Sequence, residues 1–168
     1  MNHKYILYTS VEATILSLVS FYVGNTLSYL VNDGKGYIDG LWCMVSALVV
    51  LQSFIQDSLS AAKSRIIGTI IGSIIAGVVC IIFGYSYLSI GLSIALSVYI
   101  LNLMKSEDGV RIATTTAAVI AGYGFIKPEY SPILNSIMRS VDTLIGVFFS
   151  IVVVYISYML KIRSLDKA

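Results

Sequence analysis

Between Ile66 and Phe83 the chain runs without a charged residue, and its only polar side chains are Thr69, Ser73 and Cys80. As a helix, this stretch is about 27 Å long at 1.5 Å per residue, close to the ~30 Å hydrocarbon thickness of a bilayer. A membrane β-strand would instead alternate polar and apolar residues over about ten positions. In hydrocarbon, a segment that must satisfy its own backbone hydrogen bonds does so as an α-helix. The rest of the chain agrees: of 168 residues, 57% are hydrophobic and only 12% charged, too few charges to cover the surface of a water-soluble domain.

Polar breaks divide the chain into six apolar runs. The first, Tyr5 to Val31, ends at Asn32-Asp33-Gly34-Lys35-Gly36, and the second covers Ile38 to about Gln56. The third begins near Arg65 and reaches Phe83, with Gly84-Tyr85-Ser86 as a tight turn, and the fourth spans Tyr87 to Met104. The fifth covers Val110 to Ile126; the sixth starts behind Ser131-Pro132, an N-cap and first helical position, and continues to Leu160. The expected fold is an all-α polytopic membrane protein: one six-helix transmembrane domain over residues 1–168, with no soluble domain and no cleavable signal peptide.

Basic residues set the orientation. With the N-terminus inside, Lys4, Lys63, Arg65, Lys105, Arg111, Lys161, Arg163 and Lys167 fall on the cytoplasmic side, against Lys35, Lys127 and Arg139 outside. Both termini are therefore expected in the cytoplasm, with the chain in the cell's inner (plasma) membrane. A net charge of +2 is too small to argue for nucleic acid. Cys43 and Cys80 sit in apolar runs and read as small buried hydrophobes. Asn25 and Asn102 are expected to hydrogen-bond across helices.

Two of the runs resemble one another. Arg65-Ile-Ile-Gly68-Thr69-Ile-Ile-Gly72 aligns with Arg139-Ser-Val-Asp142-Thr143-Leu-Ile-Gly146, 74 residues apart, and each copy closes a block of three runs. Because three is odd, the second block would cross the membrane upside down, a 3+3 inverted repeat with its site near the repeat interface. The spacing places Arg65, Gly68, Thr69 and Gly72 on one helix face, and Arg139, Asp142, Thr143 and Gly146 on the equivalent face of the sixth run. Gly68, Gly72 and Gly146 are small enough to let another helix approach closely.

Trp42, Leu51-Gln52 and these two arginine-threonine-glycine motifs, in this order, resemble the fusaric acid resistance-like, or aromatic acid exporter, family. Plant aluminium-activated malate channels are similar more distantly. The resemblance covers essentially the whole chain and implies export or passage of organic anions, aromatic carboxylates above all, across the inner membrane. Members of that family commonly carry a sizeable cytoplasmic domain, whereas here only Lys161 to Ala168 follows the last run. Such a minimal block is expected to pair as a homodimer or with a companion membrane subunit.

Within this frame, Arg65 and Arg139 are the candidate anion-binding residues, since a guanidinium stays charged and meets a carboxylate in two-pronged fashion. Both are read as lying near helix starts, where each could instead snorkel to headgroups, Arg139 with Asp142 as an internal partner. Thr69, Thr143 and Gln52 complete the candidate substrate set; Gln52 and Gln56 are placed on one face at the inner end of the second run, where they either line a mouth or cap the helix. Glu12, about two turns into the first run, and Asp142 are candidate proton carriers, because an intramembrane carboxylate is costly and marks function by default. Glu12 could equally face a vestibule or neutralise an arginine. Thr114, Thr115 and Thr116 read as close packing or as pore lining.

No histidine-carboxylate-serine set, metal-ligand cluster or phosphate-binding loop occurs, so neither enzyme activity nor a cofactor is expected. The function expected is an organic-anion exporter module, with proton coupling through Glu12. A passive anion channel, or a membrane subunit that scaffolds a partner, are the alternatives.

Overall fold

The structure, a computed structural model, describes residues 3–31 and 38–163. The break Asn32 to Gly36, Tyr37 and Lys167 lie outside the described residues. The elements are helices: α1 His3–Val31, α2 Ile38–Val50, α3 Ile55–Phe83, α4 Tyr87–Leu103, α5 Glu107–Ile126 and α6 Pro132–Met159. Most helix ends follow the local chemistry. Gly84 adopts φ +67° behind α3, the left-handed conformation that a helix C-terminus favours and that only glycine takes without strain. Ser86 then caps α4 through a box shared with Ser89: its hydroxyl accepts from the Ser89 amide, and the Ser86 amide donates to the Ser89 hydroxyl. Behind Ser131, whose carbonyl accepts the Asn135 amide at 3.0 Å, α6 opens on Pro132 as expected.

One boundary differs from the pattern of apolar runs. The second run extends to about Gln56 in sequence, but α2 ends at Val50 and α3 starts at Ile55, ten residues before Arg65. At the break, the Gln52 side chain donates to the Val49 carbonyl at 2.9 Å, and the Gln52 amide donates to the Ser58 hydroxyl at 3.1 Å. Gln52 and Gln56 thus stand on either side of a break rather than on one helix face, and Arg65 lies about 15 Å along α3 rather than near its start.

Helices α1, α3, α5 and α6 are long and apolar enough to cross a membrane. At 13 and 17 residues, α2 and α4 are shorter, about 20 and 26 Å. The distribution of side chains identifies the solvent. On α4 the buried face carries Ser89, Ser93, Ser97 and Leu101, whereas Leu88, Leu96 and Tyr99 point outward. On α6, Phe148, Val152, Tyr155 and Ile156 are exposed and Ser150 and Ser157 buried. In water this ordering would be inverted; around a chain in lipid, apolar residues face out and small polar ones allow helices to pack closely. This is a membrane protein.

The chain forms two compact units, Met1–Lys63 with Asp142–Ala168, and Ser64–Val141. In the first, α1 and α2 meet through glycines. A β-carbon on Gly24 would stand 2.9 Å from the Gly40 α-carbon, and one on Gly40 would stand 2.5 Å from the Phe21 carbonyl oxygen. In the second, Ala76 of α3 and Ala117 and Ile120 of α5 form a fully buried cluster. Asn135 of α6 donates to the Ile120 carbonyl at 3.3 Å. Such a hydrogen bond across helices is expected from sequence at Asn25 and Asn102, yet Asn102 is exposed and the side-chain Oδ1 of Asn25 accepts none among the described residues.

Candidate functional site

The two arginine-threonine-glycine motifs are buried, and in the same way. From Arg65 to Gly72, the first, fourth, fifth and eighth residues are buried, the sixth is exposed and the others are intermediate; from Arg139 to Gly146 the sequence of burial is identical. The correspondence continues along both helices, with Ile74 and Phe148, Val78 and Val152, and Ile81 and Tyr155 all exposed. Arg65, Thr69, Arg139, Asp142 and Thr143 are among the buried polar residues, and Asp142 is fully buried. Keeping a charge-bearing side chain such as Arg65, Arg139 or Asp142 inside a lipid-facing protein is costly.

Each motif also seats its helix on a neighbour. In the second unit, Gly72 faces Ala113 of α5, where a β-carbon would come within 2.5 Å of the carbonyl oxygen, and Gly68 faces the Gly109 carbonyl oxygen and Ile112. In the first unit, a β-carbon on Gly146 would overlap the Cys43 carbonyl oxygen of α2. Beside that contact, the Cys43 thiol donates to Asp142 Oδ1 at 3.7 Å, and the hydroxyls of Ser46 and Thr143 share a hydrogen bond at 3.4 Å. The α6 motif therefore meets three small residues of α2, Cys43, Ser46 and Ala47. Cys43 and Cys80 are both buried thiols, as their apolar surroundings in sequence imply.

The remaining sequence candidates fall elsewhere. Gln52 is exposed and occupied with the α2–α3 break. Thr114 and Thr115 donate to carbonyls of their own helix, at Val110 and Arg111. Arg65 and Arg139 both belong to the second unit, whereas Glu12 belongs to the first, where its partner is an arginine that the sequence marks only as a topology signal. Arg163 grips Glu12 with two prongs, Nε to Oε1 at 3.2 Å and Nη2 to Oε2 at 2.6 Å, and Ser157 donates its hydroxyl to Oε1 at 2.6 Å.

The backbone behind α6 explains how Arg163 comes to be there. Lys161 adopts φ +57°, the Lys161 amide donates to the Tyr158 carbonyl at 2.9 Å, and the Ile162 amide donates to the Ser157 carbonyl at 2.9 Å. This paired closure reverses the chain over the last helical turn and returns Arg163 to the level of Ser157. A lysine in place of the usual glycine hides the reversal in the sequence.

A second cluster lies between α3 and α4 and between α5 and α6, at one end of the second unit. Tyr85 donates its hydroxyl to the Tyr130 carbonyl at 2.9 Å, and its ring fills the space left by Gly124. Burial pushes the Tyr85 phenol up to about 12, nearby Cys80 adds to the shift and a hydrogen bond with Asn135 opposes it. Tyr87 and Phe125 pack at 4.8 Å, Tyr123 and Tyr130 at 5.4 Å.

A family model described as fusaric acid resistance protein-like matches residues 14–153. Neither a curated protein nor a solved structure matches the chain.

Proposed function

Since this chain belongs to the fusaric acid resistance protein-like family, a family of membrane transport proteins, we propose that it is an inner-membrane module that exports organic anions, aromatic carboxylates in particular. The observation that carries the reading is the burial of Arg65 and Arg139 at equivalent positions of two helices that are long enough to span a bilayer. A guanidinium there offers a permanent charge and a planar fork to a carboxylate that has left water. Thr69 and Thr143 lie one turn further along the same faces and supply hydroxyl donors.

The reading includes six membrane crossings arranged as a 3+3 inverted repeat, with both termini in the cytoplasm. Three observations support the repeat: the shared motif, the identical order of buried and exposed positions, and the equivalent seating of Gly72 on α5 and Gly146 on α2. Single cysteines introduced at Tyr87 and Lys105, on either side of the short α4, test it: labelling by an impermeant maleimide from opposite sides of the membrane is expected, and labelling from one side refutes it. Proton coupling through Asp142, a buried carboxylate beside the Cys43 thiol, belongs to the same reading, as does pairing of the module with a second copy or a companion subunit.

The function itself is tested by flux. Purified protein in liposomes should move benzoate and related carboxylates, and an imposed pH gradient should drive accumulation if Asp142 or Glu12 carries a proton. Current without uphill movement would make the protein a passive anion channel.

A further inference from the structure

Glu12 and Arg163 form a buried two-pronged ion pair, and export through Arg65 and Arg139 gives Arg163 no task. Three donors converge on one carboxylate: Nε and Nη2 of Arg163 and the Ser157 hydroxyl, at 3.2, 2.6 and 2.6 Å. The side chains of Arg163 and Glu12 are 3% and 9% exposed, so the site is closed to solvent while Glu12 occupies it. Among the described residues these are all the polar groups that Glu12 meets. The arrangement is what recognition of a carboxylate by a protein requires: a planar fork matched to two oxygens, with a hydroxyl fixing the orientation.

The two sides of the site differ in how they are held. Ser157 lies within α6, and Arg163 is returned to it by the closure at Lys161, where the Arg163 amide also donates to the Ser157 carbonyl at 3.3 Å. The donor side is therefore built into the end of α6. The acceptor is a single flexible side chain reaching in from α1, with two methylene groups between backbone and carboxylate, and rotation of that side chain empties the site without unwinding a helix. A site made in this way suits an anion with two oxygens, such as a carboxylate, and is filled here by one of the chain's own.

We propose that Arg163 and Ser157 form a binding site for an organic carboxylate, occupied in this structure by Glu12, which the incoming carboxylate displaces. The proposal rests on the reading of the chain as an organic-anion transporter and adds a station distinct from Arg65 and Arg139, at the far end of α6 from Arg139. Glu12 then acts as a competitor for the substrate.

The test is binding of 4-fluorobenzoate to the full chain in nanodiscs, followed by 19F NMR. Glu12→Gln removes the competing charge and is expected to tighten binding at least tenfold. Glu12→Gln combined with Arg163→Gln removes both charges together, avoiding a lone buried charge, and is expected to lose that gain; Glu12→Gln combined with Arg163→Lys, which keeps the charge without the fork, should keep only part of it. In the unaltered protein, the Arg163 guanidinium NMR signal should move on adding benzoate and stay in place with benzamide, its neutral isostere. Equal affinity of Glu12→Gln and wild type, or a guanidinium signal indifferent to benzoate, overturns the proposal. Flux separates the two readings. Transport by wild type without the Glu12→Gln gain removes this site and leaves the transporter standing, whereas the gain without any transport keeps the site and removes the transporter.

Discussion

Gly146 presses α6 directly onto the carbonyl oxygen of Cys43 in α2, leaving no room for a β-carbon. Gly72 does the same to Ala113 through α3. Lipid provides no hydrophobic force to hold helices together, so such contacts depend on close van der Waals approach, which one methyl group prevents. Gly72→Ala and Gly146→Ala are each expected to cost about 1–3 kcal/mol, the usual penalty of overpacking. Gly91 and Gly122 are also helical but have nothing within 4 Å of a built β-carbon. Their replacement by alanine should leave stability unchanged or raise it by about 0.5–1 kcal/mol, the helix-propensity difference. Thermal unfolding of the four variants in detergent checks the contrast; equal losses at all four positions would contradict the packing described.

Two helices close on a lysine where glycine is the usual residue. Lys105 adopts φ +54° behind α4, with its amide on the Asn102 carbonyl and the Ser106 amide on the Leu101 carbonyl. A side chain in the left-handed region costs about 1–2 kcal/mol. Lys105→Gly should therefore stabilise the protein by up to about 1 kcal/mol, since glycine's greater freedom in the unfolded chain offsets part of the relief. Gly84→Ala, at φ +67°, should destabilise it by about 1 kcal/mol although it meets no neighbour. The same unfolding measurement applies, and a destabilised Lys105→Gly would contradict the closure.

The Tyr85 phenol, pushed up to about 12 chiefly by burial, should remain a donor to Tyr130 when ordinary tyrosines have ionised. Tyrosinate absorbance near 295 nm, as the difference between wild type and Tyr85→Phe, is expected to titrate near 12; a component near 10 would contradict the burial. A folded-state value above the unfolded one of about 10 means that the contribution of the neutral phenol is complete below pH 10 and is lost as pH rises towards 12. The stability of wild type relative to Tyr85→Phe should accordingly fall across that window.

Much of this architecture is legible in the sequence, because charges, Gly84 and Pro132 punctuate an otherwise apolar chain and mark the C-terminal end of α3 and both ends of α4 to α6. The periodicity of Arg65, Thr69 and Gly72, and its recurrence at Arg139, Thr143 and Gly146, locates the buried faces from residue spacing alone. The end of α2 is hidden because Leu51-Gln52-Ser53-Phe54 contains neither glycine nor proline, and the break is held by Gln52 and Ser58 rather than announced by composition. Arg163 is missed for a different reason. It stands 151 residues from Glu12, beyond the last apolar run, and the reversal that returns it to α6 turns on a lysine. Local patterns locate faces and ends; they do not assign one intramembrane carboxylate to one of several arginines.

If buried arginines on the repeated helices carry organic anions through the membrane, removing either charge must slow that passage. The decisive comparison is benzoate flux into liposomes holding wild type, Arg65→Gln or Arg139→Gln protein, each reconstituted to the same amount. Wild-type flux should be robust and fall about tenfold or more in both variants, through loss of a charge-assisted contact worth about 1.5–3 kcal/mol. Flux through both variants equal to that of wild type would contradict a role for these arginines in transport.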